Sequence, residues 1–498
     1  MDEAMQQALK NVDRAEDELE HLTQAQNSQY AAMKSALDSF RSTCQDALFL
    51  DLKLAADHNV EPRIWQAHHT VNNRLRKSLK DVRKESRKVV ERRKLEKVYL
   101  NFIKSSLRFY RTFLQRIWSH FTGIGELHSV AQKMHLDLLS VDAPVPVDAP
   151  QKQQLLQYCH STLIHCGDLS RYREIALAQK TRNWGPAEGY YECAARLDPT
   201  SGLSFNQLSM MAVVDDDDFG ALYYTYMCLA TINPFPAADE NLIRLLNKIW
   251  TKTKKPSATQ TKPARAEFSF LYFHAMIHAD ADAAPADFRP KRDTLLGRGG
   301  LFDLVVSEPG AKSLKQMCLM NIAAFHHATK VLQSAEQIAG SHDRESRIYH
   351  MLLELNMSTL ALFMSIVSLE HENVPQSTPQ FLGGLASTST IHKLLPCLRL
   401  YSAWLMSNID ILRERTGDGI ANKLPLESLW TVFLNCKAAL SEKLSTADID
   451  NVRYLLEEDQ GMLHFSPIAA VVQQAMLRKP GEVAKSVRRD EAIIDKQT

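Results

Sequence analysis

Ala187 and Ala221 stand 34 residues apart, each with a small residue seven positions on, Ala194 and Cys228. Trp184-Gly185-Pro186-Ala187 opens a stretch that carries Tyr191, Ala194 and Pro199, at +4, +7 and +12 from Ala187. The following stretch carries Phe205 and Leu208, then Ala221, Cys228 and Pro234. Residues four and seven apart share a helix face, so small side chains there let a second helix approach closely, and proline ends the pair. A period of this length belongs to a two-helix hairpin, which cannot bury its apolar face alone and must stack on neighbours. Helix packed on helix is therefore dictated over this region.

Period and residue pattern together are those of a tetratricopeptide-type repeat. About two units are recognisable, which predicts a compact, degenerate helical array with a concave face. Just upstream, Gly167-Asp168-Leu169-Ser170-Arg171-Tyr172-Arg173 places an Arg-Tyr pair three residues after a Gly-Asp in a helical context. Arginine offers a planar fork of donors that grips phosphate oxygens in pairs, and tyrosine adds a hydroxyl from a rigid ring. Successive helical residues diverge by about 100°, so both reach one ligand only where a pocket wraps around them. A solvated or salt-bridged arginine is the other reading of the same residues.

The runs HCGDLSRYRE, WGPAEGYYECAARLDPTSGLSFNQLSMMAV and ALYYTYMCLATINPFPAADENL, between His165 and Asn241, occur in this order. This segment resembles the ever-shorter-telomeres/SMG family of telomerase-associated and nonsense-mediated decay adapters. The resemblance is clear over about 80 residues and fainter from Trp65 to Trp118 and in the C-terminal half. It implies an all-α fold: a 14-3-3-like/tetratricopeptide helical array followed by a C-terminal helical-hairpin domain. The expected boundaries are 1–250, a linker at 251–265, and 266–498. It also implies a non-enzymatic adapter that binds a phosphorylated Ser/Thr peptide of a partner, a decay helicase or a telomere protein. Homo- or heterodimers with a family member, RNA or DNA as a further ligand, and residence in nucleus and cytoplasm follow from the same resemblance. A telomerase-associated factor, or a helical scaffold without phosphate dependence, are the alternatives.

The phosphate pocket that the resemblance implies comprises Arg171 and Tyr172, with Asn206 matching the family's Asn-Gln-Leu and the asparagine with which 14-3-3 proteins hold a peptide backbone. A helix-packing asparagine is the equal alternative for Asn206. In the decay branch, a lysine five residues after the tryptophan matching Trp65 reaches the phosphate. Thr70 stands at that position here, and Arg74 and Lys77 follow on the same helix face, making them the expected replacements.

Nine Lys/Arg and four Asp/Glu fall between Lys80 and Lys97. Arg83, Lys84, Arg87, Lys88, Arg92 and Arg93 form the candidate nucleic-acid face, with a merely solvated face as its alternative. One long helix is expected here, basic in its first half and amphipathic through Leu95, Tyr99, Phe102, Ile103, Tyr110, Phe113 and Ile117. The formal net charge of the chain is +1, so any pull on nucleic acid has to be local.

Met5, Ala8, Val12, Ala15, Leu19 and Leu22 form a narrow seam suited to a coiled coil or, more simply, to an antiparallel neighbouring helix. Asp142–Pro150 reads as an extended linker. Residues 251–265 read as a loop between domains and Asp280–Gly310 as turn-rich. Apolar periodicity marks helices near 311–335, 343–370, 391–414, 426–442, 446–459 and 465–478. Met351–Leu369, interrupted by Glu354 and Asn356, is a core helix rather than a membrane span. The eight scattered cysteines, none in a CxxC, are expected to be buried thiols, with no zinc or disulfide. No cofactor, metal or catalytic constellation is expected. Asp215–Asp218 reads as a helix cap rather than a cation site, and the pairs His68-His69 and His326-His327 diverge around their helices.

Overall fold

The computed structural model describes residues 3–409, except 26–28, 86, 140–143, 178–180, 254–261, 280–284, 299, 307–310, 339, 341, 374–380, 383–384 and 387, and also 454–455, 462, 464–470 and 485–486. The chain separates into two compact units, Met1–Pro199 and Thr200–Thr498. Helices expected at 426–442, through most of 446–459 and in the second half of 465–478 lie outside the described residues.

The first unit contains α1 (Glu3–Gln24), α2 (Tyr30–Leu50), α3 (Leu52–Asp57), α4 (Val60–Lys84), α5 (Val89–His120), α6 (Leu127–Met134), α7 (Ala149–Leu177) and α8 (Gly185–Leu197). The N-terminal seam packs within the chain: Met5, Val12, Ala15 and Leu19 are buried and α1 lies along α2. In α4 the buried stripe Val60, Ile64, Ala67, Val71, Leu75, Leu79 follows the helical period. It packs on α5, whose Tyr99, Phe102, Tyr110, Phe113 and Ile117 are buried. A polar knot sits inside this core. Arg41 of α2 donates to His68 Nε2 at 2.9 Å and to Ser106 Oγ at 2.7 Å, while His68 donates Nδ1–H to the Ile64 carbonyl at 2.7 Å. Burial, with Arg41 beside it, depresses the His68 pKa and keeps the ring neutral.

One expected helix is two. The chain leaves helical geometry at Glu85 and resumes at Val89. Leu79 and Tyr99 are the buried residues that flank this basic segment, and no described residue between them is buried. Without an apolar face to dock, a run of like charges has little to hold it helical. Beyond α5, Phe121–Thr122 (β1) pairs in parallel with Val145–Pro146 (β2), which falls within the expected linker. Asp148 and Gln151 then cap α7 reciprocally, Gln151 N–H to Asp148 Oδ1 at 2.8 Å and Asp148 N–H to Gln151 Oε1 at 3.1 Å.

The second unit holds α9 (Leu203–Val214), α10 (Asp218–Leu229), α11 (Ala238–Thr253), α12 (Lys262–Ala279), α13 (Pro285–Leu296), α14 (Leu301–Val306), α15 (Ala311–Glu336), α16 (Asp343–Asn373) and α17 (Ser389–Ser407). The boundary expected at 250 falls instead at Pro199. A single core joins Ala221, Tyr226, Leu245 and Ile249 to Phe270, Met317, Leu352 and Trp404, on both sides of 251–265. The Lys/Thr/Pro composition of that stretch marks a loop, and the helices flanking it share one interior. Asp280–Gly310 likewise yields two helices. Pro285 opens α13 at a position where no N–H is needed, and Phe288, Leu295, Leu301, Leu304 and Val305 supply buried faces.

Buried polar side chains tie this core across five helices. The Tyr226 hydroxyl donates to His274 Nδ1 at 3.4 Å, and His274 donates Nε2–H to Asn321 Oδ1 at 3.0 Å. Asn321 donates onward to the Tyr401 hydroxyl at 3.3 Å and receives the Asn356 amide on its main-chain oxygen at 3.1 Å. Asn356, fully buried in α16, explains why this long apolar helix is a core element. The cysteines among the described residues are buried free thiols, and Cys436 lies outside them.

Candidate phosphate-binding site

Gly167 and Tyr191 explain the Gly-Asp motif. A Cβ at position 167 would collide with the Tyr191 ring, so glycine is what lets α8 close on α7. Tyr191 then reaches past Gly167 and donates to Asp168 Oδ1 at 2.7 Å. The same carboxylate oxygen accepts from Arg171 Nη2 at 2.9 Å, and Arg171 Nε lies 3.4 Å from the Tyr191 hydroxyl. Both acid and base are largely buried, at 8% and 12% side-chain exposure, so water does little to screen the pair. Arg171 is thus held in one orientation by two groups that the sequence places on α7 and α8.

Tyr172 lies beside it. The Arg171 guanidinium carbon stands 4.9 Å from the Tyr172 ring centroid, and that of Arg76 on α4 stands 5.2 Å away. Burial pushes the Tyr172 pKa up, which keeps the hydroxyl protonated as a donor. The site therefore carries two guanidiniums around a phenol, a donor set suited to a dianionic phosphate.

Arg76 was not among the expected residues, and two that were expected sit elsewhere. Arg74 turns to the end of α1, donating to the carbonyls of Leu22 at 3.3 Å, Ala25 at 2.6 Å and Thr23. It satisfies carbonyls that a helix end leaves open. Lys77 is exposed on α4, and the Thr70 hydroxyl donates back to the Gln66 carbonyl at 3.0 Å. The signal available in the sequence was Asn72 and Leu79. Both are buried, and Arg76 falls four residues after one and three before the other, on the edge facing α5 and α7. Asn206 belongs to the second unit, where its Oδ1 accepts from Asn241 at 3.2 Å.

Of the basic run, Arg83 pairs with Glu96 at 3.0 Å and donates to the Ala176 carbonyl at 2.9 Å. Lys84 pairs with Asp81 at 2.9 Å and Lys88 with Glu85 at 2.9 Å. Arg87 and Arg93 are exposed and Arg92 is half-buried. The acidic cluster is a cap and an ion-pair network: Asp217 Oδ1 accepts from Gly220 N–H at 2.9 Å, while Lys248 and Lys252 bridge Asp216 and Asp218 at 2.7–2.9 Å. Hydrogen bonds from Lys252 and Lys248 depress the Asp216 pKa to about 2. Among the described residues, no group of three or more His, Cys, Asp or Glu is placed to hold a metal.

Comparison with known proteins agrees with this architecture. Residues 59–177 match the family described as telomerase activating protein Est1, and residues 187–471 match the Est1 DNA/RNA binding domain. The nonsense-mediated mRNA decay factor SMG7 of Danio rerio is 24% identical over 414 residues, covering 81% of this chain and 32% of its own length. An SMG7-like decay factor of Arabidopsis thaliana is 29% identical over 213 residues, 43% of this chain and 20% of its own length. The chain thus spans less than a third of either relative. The solved structure titled Est1 and Cdc13 shares the fold, with a TM-score of 0.65 over 97% of this chain and 93% of that one, at 13% identity. With the nucleic-acid-binding domain alone matching more than half of its length, the chain belongs to the Est1 family of ever-shorter-telomeres/SMG proteins.

Proposed function

We propose that this protein is a non-enzymatic adapter whose first unit reads a phosphorylated serine or threonine in a partner protein of nonsense-mediated mRNA decay. One observation carries the reading. Arg171 is fixed by Asp168 and Tyr191, and the Tyr172 ring lies within 5.2 Å of the Arg171 and Arg76 guanidinium carbons. A guanidinium oriented before the ligand arrives loses little freedom on binding, and its hydrogen bonds to phosphate are charge-assisted. The decay factors among its relatives support the choice of partner, and action in both nucleus and cytoplasm is part of the same proposal.

Titration with phosphorylated and plain Ser/Thr-Gln peptides tests it. The phosphorylated peptide should bind and the plain one should not, and Arg171→Glu should abolish the difference. Equal binding of the two peptides by the wild-type protein would leave a helical scaffold without phosphate dependence. The telomerase-associated reading has relatives such as the telomere elongation protein est1 of Schizosaccharomyces pombe, 25% identical over 197 residues. It draws on Arg87, Arg92 and Arg93, the candidate nucleic-acid residues that form no ion pair among the described residues.

A further inference from the structure

Helices α4 and α7 touch at three points. Trp65 stacks on His165 with ring centroids 3.9 Å apart, Arg76 lies over Tyr172, and Arg83 Nη2 donates to the Ala176 carbonyl at 2.9 Å. Residue numbers rise together along the two helices, so α4 and α7 run side by side in the same direction. Helix α5 packs against both. At about 100° per residue, positions 65, 76 and 83 share one edge of α4, and Lys80 lies about 40° outward from Arg76. The candidate phosphate site thus occupies the middle of an edge that continues past it to Arg83.

That continuation is cationic. Lys80 is exposed and has no hydrogen-bond or ion-pair partner among the described residues. Arg83 pairs with Glu96 of α5 at 3.0 Å. Arg92 lies one turn before Glu96 on the same face of α5, half-buried and without an ion pair among the described residues. Three cations therefore stand against one carboxylate. The neighbouring acids are taken up elsewhere: Asp81 by Lys84 at 2.9 Å, and Glu174 by Arg173 at 3.0 Å and the Asn183 N–H at 3.1 Å. From Arg76 to Arg83 is about 10 Å along the helix, which an extended peptide covers in about three residues. We infer that Lys80, Arg83 and Arg92 form a second anion subsite beside the phosphate site. It takes an acidic side chain, or a second phosphate, three residues from the phosphorylated one. The inference rests on the phosphopeptide reading of Arg171 and Tyr172 and adds a sequence preference to it.

Isothermal titration of the full chain with a set of phosphopeptides tests it. One peptide has neutral flanks, two carry glutamate three residues before or after the phosphoserine, and a fourth carries a second phosphoserine at the better of those positions. The neutral-flanked peptide measures the phosphate site alone. One of the two glutamates should tighten binding about fivefold and the second phosphate should tighten it further, with both gains shrinking as salt is added. Lys80→Ala and Arg92→Ala break no ion pair. Together they should remove most of the gain and leave the neutral-flanked peptide unchanged. Lys80→Glu should shift the preference toward lysine at the same position. Lys77→Ala, which removes an equal charge from another face of α4, should keep the gain. The inference alone is overturned if the neutral-flanked peptide binds and neither glutamate nor second phosphate improves on it, or if the whole gain survives Lys80→Ala with Arg92→Ala. If those two variants instead lose a labelled single-stranded oligonucleotide and keep the peptide gain, the edge is a nucleic-acid face and the inference is likewise overturned. If no phosphopeptide binds at all, the phosphate reading falls and this inference falls with it.

Discussion

The Arg76 guanidinium lies over the Tyr172 ring, 5.2 Å from its centroid. This places a second cation beside Arg171 without Thr70, Arg74 or Lys77. Arg76 is exposed and touches the Tyr172 ring, so Arg76→Ala should weaken phosphopeptide binding several-fold, less than Arg171→Ala does. Lys77→Ala should change it little. Isothermal titration of the variants against one phosphopeptide checks the order, and a larger loss from Lys77→Ala would move the pocket to the other face of α4.

Arg74→Ala has a different expected readout. Its guanidinium holds the last carbonyls of α1, so the variant should lose about 1 kcal/mol of stability in denaturant melts. Peptide affinity should stay near wild type.

Tyr191→Phe keeps the ring against Gly167 and deletes the hydroxyl that bonds Asp168. Affinity for phosphopeptide should fall several-fold while the melting temperature changes only slightly. Gly167→Ala should do the reverse in order of severity, destabilising the α7–α8 contact first. Thermal melts paired with peptide titrations separate the two.

Glu61 is 4% exposed at the start of α4, and burial pushes its pKa from 4.5 up to about 8. The folded state therefore holds this proton more tightly than the unfolded chain. Its contribution to stability is full below pH 4.5 and is lost as pH rises through 8. Glu61→Gln should melt increasingly above wild type from about pH 4.5 to about pH 8, with no further change above that, and parallel melting curves would contradict this.

His165 stacks on Trp65 with centroids 3.9 Å apart, and burial lowers its pKa from 6.5 to about 3. Here the unfolded chain takes the proton first. The stability due to the neutral ring is present above pH 6.5 and falls as pH drops toward 3. His165→Phe should show a shallower loss of melting temperature on acidification.

What was legible in the sequence followed periodicity. The buried faces of α4, α5, α15 and α16 are apolar stripes, and a stripe names its own helix. The 34-residue register also reads correctly, with Ala187, Ala194, Ala221 and Cys228 all buried. Composition misled where it stood in for packing. Lys/Thr/Pro residues at 251–265 mark a loop, yet Ile249 and Phe270 on either side share a core. Proline at 285 and 290 reads as turn, yet Phe288 and Leu295 give α13 a face to bury. At the candidate site, Arg171 was readable because it is local to its motif. Arg76 was not, because its place depends on which edge of α4 meets α5 and α7, a fact of tertiary packing.

Asn321 has a consequence for how this protein can be cut. Its side chain donates to Tyr401 in α17 and accepts from His274 in α12, 80 and 47 residues away in sequence. Loops between helices are ordinarily safe places to end a fragment. Any piece of the second unit that stops in the segment between α16 and α17 keeps Asn321 buried but removes the phenol facing it. The stranded amide costs about 1–3 kcal/mol, and the loss of Tyr401 and Trp404 opens the aromatic packing around Phe325 and Phe363. Soluble fragments should therefore have to run through Trp404, whatever their first residue, and shorter ones should be recovered as aggregates or proteolytic ladders.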